Sequence, residues 1–291
     1  MRALLIGALA LVAGACVGVG SHLHSESVAD PPVSEAAHDE AEPPPARRGP
    51  TPETAPAPEP ERVAAPAPFF VSESDGRPTY IRRGEAAPNV RYAALDRPGC
   101  EAELTRRGIA FARAPSVWNV MAPVWLEGPL HGVTIRSKYL VPGGRHARME
   151  IMGCRLVLAL DDFSVLLAEH DITEVLHLSA FRSRKEGGCT PKYDGKQHCA
   201  GLALDVASLK RRDGTVIDVK RDFHGRVGVA TCAEGAEPVK PGAGAETLWG
   251  LVCEAARKGI FHVMLTPNYN AQHHNHLHLE ITPDAGWMLV K

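Results

Sequence analysis

The chain has 291 residues, a formal net charge of −2 and 23% charged residues, with Arg and Lys spread out rather than gathered into a stripe. A near-neutral balance of that kind argues against a nucleic-acid partner. The length admits one large or two small domains, and the N-terminal composition removes a good part of it from the count.

Met1 and Arg2 precede an apolar run over 3–19 that is short for a membrane span. One positive charge followed by such a run reads as an export signal over 1–20. Ala13, Gly14 and Ala15 suit a small-residue cleavage site. With Cys16 they also resemble a lipobox, in which Cys16 would carry a lipid anchor to the membrane, although Ala13 stands where that motif has leucine. From 21 to 88 the composition changes, with half of the 24 prolines lying in 21–68 in runs such as PPVSEAAHDEAEPPPARRGPTPETAPAPEPE. Such a segment cannot bury enough apolar surface to offset its ordering entropy, so a disordered, extended tether is expected. The folded domain is expected over 89–291.

Six cysteines follow the signal: Cys100, Cys154, Cys189, Cys199, Cys232 and Cys253. An even number in an exported chain points to disulfides, and no CxxC occurs that would suggest thiolate ligation of a metal. Proximity favours Cys189 with Cys199 and Cys232 with Cys253, leaving Cys100 for Cys154, among roughly fifteen arithmetically possible pairings.

Within the domain, Leu156, Leu160, Phe163 and Leu167 fall at helical spacing in GCRLVLALDDFSVLLAEHDI. VLHLSAFRSR alternates and predicts a strand over 175–184. GLALDVASL and TVIDVK predict two strands joined by KRRDG, whose Asp213-Gly214 is a turn signal. AETLWGLVCEAARKG predicts a second helix stopped by Gly259. A strand over 260–265, a PNYN turn and a last strand in HNHLHLEI complete the chain. Together these predict one α+β domain, a mostly antiparallel sheet flanked by helices.

The most informative stretch is AQHHNHLHLE, with His273, His274, His276 and His278. Side chains alternate along a strand, so His274, His276, His278 and Glu280 would share one face and Leu277, Leu279 and Ile281 the other. Upstream, QHCAGLALDV carries His198 and Asp205, with Gly201 to turn the backbone between them. A carboxylate in so apolar a run is unfavourable unless paired or bound to metal. Two imidazoles and one carboxylate around an open position are a usual way to hold a catalytic zinc ion.

The order SAFRSR, HCAGLALD, a cysteine-bearing helix and VMLTPNYNAQHHNHLHLE resembles the bacterial extensin-like C-terminal domain family. Its metal motif is similar to those of the zinc D-Ala-D-Ala carboxypeptidases and the penicillin-insensitive murein endopeptidases. The likeness spans roughly 100–281 and is strongest after Ser179. It implies zinc bound by His198, Asp205 and His278, with His276 beside the metal as the acid–base group. It also implies that His273 borders the substrate and that Arg182 binds a substrate carboxylate. Zinc with three protein ligands can lower the pKa of a bound water to about 7, which suits amide hydrolysis in peptidoglycan stem peptides. One departure stands out. The carboxypeptidases place a glutamate in an ExxWH arrangement, and Pro267, Asn268, Tyr269 and Asn270 occupy that neighbourhood here. The base is then His276 or is missing.

Glu280 is a candidate to support a ligand from behind, and His274 is expected to be solvent-exposed. His170, His177, His224 and His262 sit singly and read as packed or surface residues, as do Trp118, Trp125, Trp249 and Trp287. Tyr269 reads as a turn residue. Two other functions fit the same residues: a zinc-braced wall-binding module without turnover, as in hedgehog signalling domains on a similar scaffold, or a copper or nickel scavenger. Localisation is expected in the periplasm or cell envelope.

Overall fold

The structure, a computed structural model, describes residues 81–139, 146–183, 189–190, 192 and 196–291. The expected signal, Cys16 and most of the tether fall outside the described residues. The described residues begin inside the segment expected as tether. β1 (Ile81–Arg82) pairs antiparallel with β11 (Trp287–Val290), so the two ends of the domain meet.

α1 (Pro88–Ala93) starts on a proline, whose fixed φ and missing N–H suit a first helical position. α2 (Arg97–Arg106) is capped by Asp96, whose side chain accepts from the Gly99 N–H. A small sheet of β2 (Phe111–Arg113), β3 (Pro123–Leu126) and β5 (Met152–Gly153) follows, interrupted by β4 (Thr134–Ser137) of the main sheet. α3 (Cys154–Glu169) is the helix predicted from the leucine spacing, and most of it is buried.

β6 (Ile172–His177) and β7 (Ala203–Arg211) form the centre of the main sheet, with β8 (Val216–Asp218) paired to the far end of β7. A short α4 (Val219–Asp222) replaces the end of the strand predicted in TVIDVK, because the Asp218 side chain accepts from the Arg221 N–H and caps a helical turn. α5 (Ala243–Lys258) ends at Gly259, which has φ 67 as the predicted stop requires. β9 (Val263–Leu265) and β10 (Leu277–Glu280) complete the order β1-β11-β9-β10-β7-β6-β4. The β9–β11 and β4–β6 pairings are parallel and the others antiparallel. The result is the expected single α+β domain with a mostly antiparallel sheet.

Three further predicted strands are shorter than expected, and the one over 260–265 begins only at Val263. The segment over 175–184 leaves the sheet after His177, and the final strand begins only at Leu277. Before it, Asn270 accepts from the Gln272 and His273 N–H groups and winds Ala271–His273 into a 3-10 turn. All three expected disulfides form: Cys100–Cys154, Cys189–Cys199 and Cys232–Cys253. They point to an oxidising, extracytoplasmic setting. Among the described residues no helix is long and apolar enough to cross a membrane.

The alternation of β7 and β10 divides the domain. Leu204, Val206, Leu277 and Leu279 join the main core with α3 and α5, where Phe163 meets Phe261 edge-on at 5.5 Å. Asp205, His278 and Glu280 occupy the opposite face. There Val263, Leu265 and Leu289 make a small separate cluster on the neighbouring strands.

His177, at the end of β6, is fully buried, and neither ring nitrogen has a hydrogen-bond partner among the described residues. Burial pushes its pKa down to about 4, against a smaller opposing pull from Glu150 and Asp205. The unfolded chain therefore takes up the proton first as pH falls, and stability is lost between about pH 6.5 and 4. Replacing His177 with Leu should make the loss of unfolding free energy across that window smaller by about 3 kcal/mol. Denaturant titrations at the two ends of the window check this; equal losses in both proteins would contradict it.

Candidate metal centre

The site begins with backbone geometry. A 3-10 turn (Gln197–Ala200) carries His198, and Gly201, at φ 63, redirects the chain into β7. Asp205 then lies opposite His278 in the β7–β10 register. After His177 the chain returns past β7: Leu178 N–H donates to Asp205 O, and Asp205 N–H donates to Ser179 O. This brings SAFRS alongside the site. The Arg182 N–H donates to His198 O, so the two loops hold each other.

His198 Nε2, Asp205 Oδ1 and His278 Nδ1 converge. The two imidazole nitrogens lie 3.0 and 3.1 Å from the carboxylate oxygen and 3.3 Å from each other. These three buried residues form a group that could hold a metal ion, its donor atoms all within 4.8 Å of one another. The outer nitrogens fix the tautomers. His198 Nδ1 lies 3.2 Å from Ala180 O, and His278 Nε2 lies 3.2 Å from Glu280 Oε2. Both partners are acceptors, so both outer nitrogens carry protons and the inner lone pairs turn toward Asp205. Three acceptors at such separations require a positive charge among them.

The electrostatics say the same. Burial pushes the Asp205 pKa up, but His198 and His278 outweigh it and hold the group well below the usual carboxylate range. Burial also disfavours charge on His278, yet hydrogen bonds to Asp205 and Glu280 lift its pKa to about 9. A buried imidazole that retains a proton so firmly stands where a cation is favoured. The donor set of two imidazoles and one carboxylate suits zinc.

Behind the ligands, Glu280 is buried and also accepts from Thr282 Oγ1 at 3.0 Å. Asp205 Oδ2 accepts from Ser179 Oγ at 3.0 Å and from Arg182 Nη2, while Arg182 Nε donates to Ser179 at 3.1 Å. The guanidinium that the resemblance assigns to a substrate carboxylate thus rests on a carboxylate of this chain. It remains partly exposed.

A cleft of about 500 Å³ opens over the cluster, walled by Arg182, Gln197, Tyr269, Gln272, His273 and His276 among others. His276 Nε2 lies 3.4 Å from Asp205 Oδ1, and its Nδ1 lies 2.8 Å from Asn275 Oδ1. His273 is held by Asn270 Oδ1 at 2.8 Å and stacks near His276, with ring centroids 5.0 Å apart. Burial lowers the pKa of both, that of His273 to about 4, so both are neutral imidazoles at pH 7. His274 is exposed, as expected, because the 3-10 turn removes it from the strand face. Tyr269 sits in its turn and also reaches the cleft, 5.3 Å from the His273 ring. The sequence reading did not foresee Ser179 or the Ala180 carbonyl, since neither carries a metal-binding pattern. Glu280 was legible from strand parity with His278.

Gly201 sets the distance between two members of the cluster. A Cβ there would lie 2.8 Å from Gly153 N and 3.2 Å from Met152 C, both backbone atoms, in a left-handed conformation. Gly201→Ala is expected to lower stability by about 2 kcal/mol or more, readable by denaturant unfolding. A change under about 0.5 kcal/mol would show that the turn is not constrained in this way.

No curated protein and no solved structure matches the chain. The family model described as extensin-like protein C-terminus matches residues 99–290, a span that takes in the whole cluster and its cleft, and the chain belongs to that family.

Proposed function

We propose that this chain is a zinc-dependent hydrolase of amide bonds in peptidoglycan stem peptides, acting in the cell envelope. The observation that carries the reading is the convergence of His198 Nε2, Asp205 Oδ1 and His278 Nδ1 at the floor of an open cleft that the imidazoles of His273 and His276 also border. The resemblance of the metal motif to those of the zinc D-Ala-D-Ala carboxypeptidases and murein endopeptidases supports the choice of peptide substrate.

A zinc ion held by these three residues would supply Lewis acidity and an acidified water at neutral pH. The rest falls to the chain's own groups. His276 has its Nδ1 proton engaged by Asn275, which leaves Nε2, 3.4 Å from Asp205 Oδ1, as the nitrogen that accepts a proton. The low pKa imposed by burial keeps it in the accepting form at pH 7. Among the described residues lining the cleft, Asp205 is the sole carboxylate and no glutamate stands there, so the proton transfer is assigned to His276. His273 stands beside it to hydrogen-bond the substrate or the developing oxyanion. Ser179 and Arg182 hold Asp205 Oδ2, which leaves Oδ1 facing the two ligand histidines.

The same scarcity of carboxylates favours a second reading, a metal-braced wall-binding module without turnover. Co-sedimentation with purified sacculi, with no new muropeptides, would select it. For the hydrolase, zinc-loaded protein should release new muropeptides detectable by mass spectrometry. His198→Ala should abolish that release and reduce bound zinc from about one per chain toward none. Identical products from parent and variant would reject the proposal. Glu280→Gln keeps the ligands but weakens the acceptor behind His278, and should loosen zinc about 10- to 100-fold in a chelator competition.

A further inference from the structure

The metal cleft does not end at Arg182. A second hollow of about 230 Å³ shares Arg182 and Cys199 with it and continues past Val117, Trp118, Phe181 and the Cys189–Cys199 disulfide. Its lining is mainly apolar, with Trp118 63% exposed. Among the described residues two guanidiniums line it, those of Arg148 and Arg182, and no carboxylate does. Their situations differ. Arg182 is tied to Asp205 and Ser179, whereas Arg148 makes no ion pair among the described residues and lies over the Phe181 ring, 5.7 Å from its centroid. A cation over an aromatic face is held in place without losing its charge. Ser183, buried and with no hydrogen-bond partner for its Oγ among the described residues, lines the same wall.

We infer that this groove is the extension of the cleft that receives an acidic peptide, with Arg148 as the anchor for its carboxylate. The inference deepens the hydrolase reading and rests on it for the placement of the amide at the metal. Two features favour this occupant: a guanidinium at Arg148 with no ion pair among the described residues, and continuity with the cleft through Arg182 and Cys199. An extended peptide lying across Arg182 would set its backbone against Val117, Trp118 and Phe181 and its carboxylate on Arg148. The planar guanidinium suits a carboxylate in two-point contact. Arg182, committed to Asp205, is then a positioning residue, and recognition of the free acid passes to Arg148.

The test uses the zinc-loaded full chain, a fluorescein-labelled stem tetrapeptide as the free acid, and its fully amidated analogue. Binding is followed by fluorescence anisotropy and cleavage by mass spectrometry of the same samples. The free acid should bind about tenfold more tightly than the amide, as loss of a charge-assisted contact implies. Arg148→Gln should erase that preference and Arg148→Lys restore part of it. Equal affinity of acid and amide in the parent protein would overturn the inference without recourse to any variant. So would an acid preference that survives in Arg148→Gln, absence of binding by either peptide, or a neutral oligosaccharide that displaces the label as well as unlabelled peptide does. Acid-selective, Arg148-dependent binding without cleavage supports the groove and rejects the hydrolase. Cleavage with no selectivity for the acid does the reverse.

Discussion

The structure turns on one buried carboxylate. Asp205 is 1% exposed, near the centre of the main sheet, where an unpaired charge would be severely unfavourable. Every neighbour is arranged to answer it: Ser179 and Arg182 on one oxygen, His198 and His278 around the other. Those neighbours come from three separate stretches of chain, which the fold must bring together before the charge is satisfied. The loop after β6, the turn carrying His198 and the last part of the sheet are therefore coupled through a single side chain.

That coupling also explains the chemical character of the cleft. The protein-derived groups facing inward are acceptors, and the protons lie on the outer nitrogens, toward Ala180 O and Glu280. The histidines that stand over the cleft are kept neutral by burial, while two carboxylates raise the pKa of His278 and favour a cation beside it. Residues of one type thus acquire different roles from their surroundings alone. The family assignment agrees with this picture without explaining it, since a shared domain identifies an architecture and the chemistry must be argued from the residues.

Much of this was legible in the sequence. The leucine spacing of α3, the Gly259 stop, the three disulfide pairs and the cluster of His198, Asp205 and His278 all follow from local pattern or motif. Other features were not. Alternation over 175–184 mimics a strand, yet the chain leaves the sheet after His177, and the hydrogen bonds of its backbone go to Met149, His198 and Asp205 instead. Asn270 caps a turn that delays the final strand, so His274 never joins the face that parity assigns to it. The engagement of Arg182 by Asp205 is a contact between side chains far apart in sequence, and no local pattern encodes it. The strand β1 was hidden because two residues are too few for a pattern.

The two-sidedness of β7 and β10 carries a consequence for assembly. Leu204 and Leu279 face the helices while Asp205 and His278 face away, one residue apart along each strand. A slip of one position between these strands would drive the carboxylate among the helices and strand the leucines in water. The misaligned chain would be penalised on both sides of the sheet at once, so the alternation that builds the centre also proofreads its own alignment.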